Sequence, residues 1–160
     1  MPLHTLECSQ VLHTTLEAAW KFFSDPRNLE RITPAPMHLR PLDPLPADIH
    51  PGLRIRCRIR PLFRIPTTWV TEITEVVPPR LFVDEQRAGP YRSWKHEHHF
   101  HPLDEQTVGM IDRVTYQLPF GWLGNLVHPL LVRPQLRRIF DYRKKKVAEL
   151  FGEKPPTSQP

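Results

Sequence analysis

A chain of 160 residues with 39% hydrophobic and 9% aromatic residues can bury one core or enclose one cavity, and this composition excludes wholesale disorder. Its net charge of +5 keeps nucleic acid and anionic membranes among the partners to consider, but no apolar run approaches the ~20 residues of a membrane-spanning helix. We therefore expect a single domain over residues 1–152 and a flexible tail over residues 153–160.

The start of the chain and its cysteines predict a cytoplasmic protein. The first seven residues lack the basic-then-apolar order of a secretion signal. Cys8 and Cys57 lie far apart in strand-like surroundings, without a CxxC or Cys/His metal spacing. Such cysteines are typical of buried free thiols in a reducing compartment.

The beginning of the chain predicts one strand followed by two short helices. Alternating side chains over residues 6–12 indicate the strand. Thr14 and Glu17 then match a capping box, in which a hydroxyl and a carboxylate satisfy free amides at a helix start. Asp25 and Pro26 predict the second helix, with Asp25 as its cap and Pro26 at its first position.

Several strands are predicted for the middle of the chain, after a proline-broken stretch with a weak strand signal at residues 38–42. Turn residues such as Pro78, Pro79 and Gly89 separate neighbouring candidates. Such short connections favour antiparallel pairing. The candidates comprise residues 53–60, 67–76, 81–87, 91–100 and 108–118.

Residues 134–151 predict a long amphipathic helix, with Leu136, Phe140 and Val147 on its apolar stripe. The basic residues of this helix are expected on its outer, solvated side: Arg137, Arg138, Arg143 and Lys144 to Lys146. A curved antiparallel sheet with this helix across its concave face leaves a gap, and such a gap is a ligand cavity by construction.

Two of the strand candidates place polar groups among bulky apolar ones on a single face, because side chains alternate along a strand. The two faces comprise Trp94, His96, His98 and Phe100 on one strand and Met110, Asp112, Val114 and Tyr116 on the other. Such a mixture is too polar for a plain core and too apolar for a plain surface. It predicts the lining of a cavity that holds a small molecule.

Several short segments, spread over nearly the whole chain, are characteristic in wording and order. They are SDPRNL at 24–29, FVDEQ at 82–86, GPY at 89–91, Trp94, HEHHF at 96–100, DRVTY at 112–116, LPFG at 118–121 and IFDYR at 139–143. Together with the layout of the elements, these segments resemble the SRPBCC superfamily, also called START-like or helix-grip, and above all its bacterial cyclase/dehydrase-like ligand-binding group.

The resemblance implies an α+β helix-grip fold: a curved antiparallel β-sheet wrapped around a long C-terminal α-helix, with two short helices after the first strand. It also implies a deep, mostly apolar pocket between sheet and helix. Typical ligands of the superfamily are lipids, sterols, polyketides and other aromatic or isoprenoid molecules, and no cofactor or metal is required.

We predict that sixteen side chains from the sheet, the terminal helix and a glycine-flanked loop contact the ligand. Phe120 and Trp122 of that loop form either a gate that touches membranes or a plug at the sheet edge. The predicted contacts are Trp69, Ile73, Phe82, Asp84, Gln86, Trp94, His96, His98, Phe100, Met110, Asp112, Val114, Tyr116, Phe120, Leu136 and Phe140.

The histidines and aspartates of this set allow more than one role. His96 and His98 could present two imidazoles to a metal, with Asp84 or Asp112 as third ligand, but no familiar metal motif accompanies them. Hydrogen bonding, for instance between His98 and Asp112, is favoured, so no metal and no cofactor are predicted. The same groups near Tyr116 suit acid–base catalysis, yet a binding pocket needs them too, so no catalytic residue is assigned.

Arginines also alternate along one strand, where Arg54, Arg56, Arg58 and Arg60 lie opposite apolar residues and are followed by Arg64. A solvated outer face explains this pattern, and transient contact with an anionic membrane surface is the functional alternative. Nucleic acid is not predicted as a partner, because no aromatic platform or recognised motif accompanies the charge.

The sequence thus predicts binding, or binding and transfer, of a hydrophobic small molecule by a cytoplasmic protein. A cyclase or dehydratase that uses the His/Asp/Tyr patch is one alternative. A protein-interaction or chaperone-like module with a filled core is the other. The identity of the ligand and the oligomeric state stay open.

Overall fold

The structure, a computed structural model, describes residues 2–61 and 65–152. These residues form a seven-stranded, curved, antiparallel sheet that is not closed, together with short early helices and a long C-terminal helix. The predicted α+β helix-grip architecture is therefore confirmed. Arg64 and the predicted tail at 153–160 lie outside the described residues.

The sheet pairs the first strand with the last, so its order is β1-β7-β6-β5-β4-β3-β2. Consecutive strands from β2 to β7 are antiparallel neighbours, and for β3 to β7 the short connections predicted this pairing. The strands are β1 (His4–Leu12), β2 (Arg40–Pro41), β3 (Arg54–Ile59), β4 (Thr67–Val77), β5 (Leu81–Ala88), β6 (Ser93–Asp104) and β7 (Thr107–Gln117).

Helix α1 (Leu16–Phe23) is followed by two 3₁₀ helices, Pro26–Ile32 and Ala35–Met37. The N-cap of α1 is Thr15, whose hydroxyl accepts a hydrogen bond from the Ala18 amide at 3.2 Å. The prediction of Thr14 as the cap is therefore wrong by one residue. The predicted cap of the next helix is correct, because the Asp25 carboxylate accepts from the Arg27 amide at 3.0 Å.

The C-terminal helix begins earlier than predicted. Helix α2 (Gly121–Val127), a π-helical segment (His128–Val132) and helix α3 (Arg133–Phe151) follow one another directly. The predicted glycine-flanked loop with Phe120 and Trp122 is therefore wrong, because Gly121 to Val127 are helical. Phe120 and Gly121 both have positive φ and turn the chain out of β7, and a Cβ at Gly124 would lie 2.2 Å from the Pro119 carbonyl oxygen. These glycines serve a turn and a close contact.

Buried apolar side chains of the described residues gather in clusters at the two ends of the sheet. One cluster packs Phe23 of α1 against Phe100, Met110 and Val147. The other packs Tyr116 and Trp94 of the sheet against Val132, Leu136 and Phe140. A smaller cluster on β3 consists of Ile55, Cys57 and Ile59. No helix of residues 2–61 or 65–152 is both long enough and apolar enough to cross a bilayer.

Leu12 tests the packing of the first cluster, because its side chain is completely buried at the end of β1. We expect Leu12→Ala to lower the free energy of unfolding by about 2–5 kcal/mol, since it leaves a cavity. Val11→Ala on the same strand is the matched control, because Val11 is exposed; its effect should stay within about 0.5 kcal/mol. Urea denaturation measures both, and equal losses would contradict the packing described.

Candidate functional site

A cavity of ≈190 Å³ lies between the sheet and the helices. Strands β3 to β6 line it on one side, and α1, the 3₁₀ helices and α3 line it on the other. Most of the lining side chains are apolar or aromatic. Its polar lining includes Asp84, His96 and His98 from the sheet and Arg143 from α3.

The register of three neighbouring strands brings the polar side chains of the sheet together. Asp84 of β5 is paired with His96 of β6, and Asp112 of β7 is paired with His98 of β6. Because paired residues of adjacent strands point to the same face, all four side chains form one patch, which we call the polar wall.

Hydrogen bonds connect the members of the polar wall across the strands, one between directly paired residues and two between diagonal neighbours. Asp112 Oδ1 lies 2.9 Å from His96 Nε2 and 3.0 Å from His98 Nδ1, and Asp84 Oδ2 lies 3.0 Å from His98 Nε2. His96, His98 and Asp112 are all buried. The predicted pairing of His98 with Asp112 is present, and His98 has a carboxylate at each ring nitrogen.

Arg143 supplies the positive charge that faces this wall from α3. Its Nε lies 3.4 Å from Asp112 Oδ2, an ion pair whose arginine side chain is only 12% exposed. Its Nη2 is 3.3 Å from His98 Nδ1. Because Asp112 Oδ1 is nearer and negatively charged, we assign the Nδ1 proton of His98 to the bond with Asp112.

The prediction that Arg143 lies on the outer side of the terminal helix is therefore wrong. Its spacing explains the inward position, because Leu136, Phe140, Arg143 and Val147 follow at intervals of four, three and four and share one helix face. A buried carboxylate such as that of Asp112 needs a positive charge nearby, and Arg143 provides it from this helix face. The exposed Arg137 and Arg138 agree with the prediction.

The surroundings of the polar wall shift the pKa values of His98 and His96 in opposite directions. Burial disfavours a charged His98, but its hydrogen bonds to Asp112 and Asp84 outweigh burial and raise its pKa. Burial and the neighbouring charge of His98 lower the pKa of His96. The rings lie 3.8 Å apart between centroids, so a positive charge on His98 disfavours a second charge on His96.

The two aspartates stay ionised. Burial by itself would raise the pKa of Asp112, but the charge of Arg143 and the hydrogen bonds from His96 and His98 hold it well below its usual value. The pKa of Asp84 is also lowered, because the bond to His98 and the nearby charges outweigh burial. The guanidinium of Arg143 and the hydrogen bonds of the two histidines thus stabilise both carboxylates.

Nine of the predicted contact residues line the cavity, and Asp112 lies behind His96 and His98. The nine are Trp69, Ile73, Phe82, Asp84, Trp94, His96, His98, Leu136 and Phe140. Among the described residues that line the cavity, the other predicted contacts are absent. These are Gln86, Phe100, Met110, Asp112, Val114, Tyr116 and Phe120.

The residues outside the lining have other partners. Gln86 holds the turn after β5, where its side chain bonds the backbone N–H and carbonyl of Tyr91. The Tyr116 hydroxyl lies 2.7 Å from His128 Nε2. Phe100, Met110 and Val114 are covered by the two core clusters. Phe120 is 81% exposed at the start of α2.

Sequence reasoning did not name the lining contributed by β3 and by the early helices. Ile55, Cys57 and Ile59 face the cavity, while Arg54, Arg56 and Arg58 are exposed as predicted. Their strict alternation opposite the arginines was a usable signal. Leu29 and Ile32 of the first 3₁₀ helix and Met37 of the second also line the cavity, and local sequence gave no comparable signal for them.

Comparison with solved structures establishes the fold. An aromatase/cyclase from Streptomyces superimposes with a TM-score of 0.71 at 14% identity, with 93% of each chain covered. Norcoclaurine synthase from Thalictrum flavum, bound to dopamine and hydroxybenzaldehyde, gives a TM-score of 0.64 at 14% identity over 92% of this chain and 88% of that chain. The chain has the helix-grip fold.

A third solved structure has the same fold. Ginseng major latex-like protein 151 gives a TM-score of 0.66 at 10% identity, over 93% of this chain and 97% of that chain. No protein-family model matches the sequence, and no curated protein matches it. At these identities the likeness concerns the helix-grip fold alone, in agreement with the superfamily resemblance of the sequence.

Arg143 should contribute strongly to stability, because its removal leaves Asp112 buried without its counter-charge. We expect Arg143→Met to lower the free energy of unfolding by about 3–5 kcal/mol. Adding Asp112→Asn should recover part of this loss, with a coupling of about 0.5–3 kcal/mol in a double-mutant cycle. Denaturant titration of the four proteins measures the coupling.

Arg137→Met is the matched control for this cycle, since Arg137 is an exposed arginine of the same helix. Its effect should stay within about 0.5 kcal/mol. If Arg143→Met were as harmless as Arg137→Met, the inward ion pair would be refuted.

Proposed function

We propose that the protein binds a hydrophobic small molecule of the lipid, isoprenoid or polyketide class in its internal cavity, and that it transfers or delivers this molecule. The observation that carries the proposal is the ≈190 Å³ cavity, with apolar walls on most sides and one polar wall. Apolar area supplies most of the affinity, and the polar wall orients the ligand's polar end.

The cavity volume limits how much of the ligand is enclosed. A cavity of about 150 Å³ accommodates benzene, so ≈190 Å³ holds a substituted ring or a short branched chain. A longer ligand would place such a ring or branched chain inside the cavity, and the rest of the molecule would extend outward between the sheet and the helices. The ring-rich lining supports such an end, because Trp94 lies 5.2 Å from Trp69 and 4.7 Å from Tyr91 between centroids.

Trp69 supplies a further polar feature of the ligand site. It lines the cavity, and its buried Nε1 has no hydrogen-bond partner among the described residues. An unpaired buried donor is costly, and a ligand oxygen would remove that cost. A hydroxyl, carbonyl or carboxyl group on an otherwise apolar molecule therefore suits the site.

The exposed side of α2 and of the π-helical segment supports a role at membranes. Trp122, Leu126 and Leu130 follow at intervals of four and are 73%, 64% and 76% exposed. We call this row the apolar stripe. Arg133 and Arg137 continue it along the next turns and are exposed. Apolar side chains flanked by cations suit transient contact with an anionic membrane during ligand uptake or release.

Acid–base catalysis of a cyclisation or dehydration is the second candidate function. His96 and His98 both line the cavity, and a carboxylate orients each ring. Two of the similar structures are a synthase and an aromatase/cyclase by name. Mass analysis of the bound molecule before and after incubation separates the two functions: a catalyst converts it, and His96→Gln stops conversion without preventing binding.

Native mass spectrometry of gently purified protein tests ligand binding. We expect an adduct of a few hundred daltons that is absent from the denatured mass. Cys57→Phe should abolish the adduct, because Cys57 lines the cavity and the larger ring fills it. Thr68→Phe, at an exposed position of the neighbouring strand, is the control and should keep the adduct.

The binding proposal fails if wild-type protein carries no adduct after incubation with lipid and isoprenoid extracts. It also fails if Cys57→Phe, folded by circular dichroism, retains the adduct at the wild-type level. Either result would favour a filled interior that serves a protein partner.

Membrane contact is tested by co-sedimentation with vesicles of phosphatidylglycerol and phosphatidylcholine. Replacing Trp122 and Leu130 together by serine should weaken binding at least about tenfold, because each buried apolar side chain contributes about 1.5–3 kcal/mol. Leu103→Ser is the control, since Leu103 is exposed on β6, away from the stripe. Equal vesicle binding by the double variant and this control would contradict the role of the apolar stripe.

A further inference from the structure

Asp84, His96 and His98 have the mutual spacing of a coordination shell. One potential ligand atom from each residue lies within 4.8 Å of the other two. Asp84 Oδ2 is 3.0 Å from His98 Nε2 and 3.9 Å from His96 Nδ1, and the second distance is beyond hydrogen-bond reach. Nitrogen and oxygen ligands lie about 2.0–2.2 Å from zinc, so neighbouring ligands are roughly 3–3.5 Å apart. Closure of His96 toward Asp84 and His98, whose ligand atoms all lie within 4.8 Å of one another, would complete the triangle.

The outer nitrogens of both imidazoles are already held in the way that metal-binding histidines require. Such histidines almost always donate their other ring N–H to a carboxylate or carbonyl, which fixes the ring and raises its basicity. Asp112 Oδ1 does this for both rings, at 2.9 Å from His96 Nε2 and 3.0 Å from His98 Nδ1. Arg143 in turn holds Asp112. The inner nitrogens, His96 Nδ1 and His98 Nε2, are left on the side of Asp84.

The negative charge of the cluster favours a cation near His96 Nδ1, His98 Nε2 and Asp84. With both imidazoles neutral, the carboxylates of Asp84 and Asp112 exceed the guanidinium of Arg143 by one negative charge. A buried excess charge is costly and must be offset. A divalent metal ion between the inner atoms would more than offset this charge, leaving a net charge of +1 that an anionic ligand can balance.

We propose that Asp84, His96 and His98 bind one divalent transition-metal ion at the wall of the cavity, with Asp112 and Arg143 as positioning residues. Two imidazoles and one carboxylate suit Zn²⁺ or Fe²⁺, whereas Mg²⁺ and Ca²⁺ prefer oxygen ligands. All three residues line the cavity, so the open coordination positions face the ligand space. This inference goes beyond the binding function and holds whether or not the cavity takes an apolar molecule.

Sequence alone favoured hydrogen bonding over a metal, because the three ligands form no local motif. Asp84 is on β5 and the histidines are on β6, and only the antiparallel register places Asp84 opposite His96. The supporting Arg143 comes from α3, 31 residues after Asp112 in the chain. Because the site is assembled from three strands and one helix, the His-x-His spacing is the only part of it that the sequence shows as a local pattern.

Titration of chelator-treated, ligand-free protein with Co²⁺ tests the site by visible spectroscopy. We expect uptake of one Co²⁺ per chain with d–d bands of a low-coordinate nitrogen and oxygen site, and displacement of Co²⁺ by Zn²⁺. Asp84→Asn and His98→Gln should each abolish the bands. Asp112→Asn should keep the bands but weaken affinity by about 10–100-fold, as expected for a residue that positions the ligands.

His101→Gln is the matched control, because His101 is an exposed histidine of the same strand. It should bind Co²⁺ as the wild type does. Circular dichroism of each variant shows whether it is folded, and the wild-type titration alone already decides the main point. Absence of one-to-one Co²⁺ uptake by wild type overturns the proposal, and so does uptake that a folded Asp84→Asn variant retains.

Discussion

One buried and one partly buried aspartate lie beside two buried histidines on the concave face of the sheet, and they impose the constraint on which the rest of this structure depends. Hydrogen bonds from His96 and His98 and nearby positive charge stabilise the two carboxylates there. The guanidinium that faces Asp112 comes from Arg143 of α3. This ion pair holds one point of the terminal helix against the sheet.

The cavity follows from that position. Apolar clusters fill the space at both ends of the sheet, where Phe23 meets Phe100 and where Val132 meets Tyr116. Between them the helix layer stands off the sheet, and the polar wall forms one side of the gap. The proposed hydrophobic ligand with a polar end and the proposed transition-metal ion would use the same arrangement, and they are compatible because the metal's open positions would face the ligand.

Strand alternation explains how much of this could be read from the sequence. It placed His96, His98, Asp84 and the aromatic residues on the correct face, and the superfamily resemblance supplied the fold. Alternation does not tell which part of an inward face is covered by a helix. Phe100 and Val114 were therefore predicted as ligand contacts, although the core clusters cover them.

Arg143 and two glycines are single positions at which the sequence pattern did not predict the tertiary contacts. Arg143 has the helical spacing of the inward-facing Leu136, Phe140 and Val147, but a charged side chain is typical of the surface. Only Asp112, on a distant strand, explains why Arg143 points inward. Gly121 and Gly124 suggested a flexible loop, but a left-handed turn and a close backbone contact require them. The conformations of these three residues depend on contacts with residues elsewhere in the fold, and local sequence carries no information about such contacts.

A crystal structure of the protein, purified without detergent and incubated with the ligand class recovered from it, tests the central claim most directly. The account predicts electron density in the cavity between β3–β6 and α3, with a polar atom within hydrogen-bond distance of Trp69 or the polar wall. It also predicts Arg143 against Asp112. A cavity filled by side chains, or an Arg143 side chain in solvent, would contradict it.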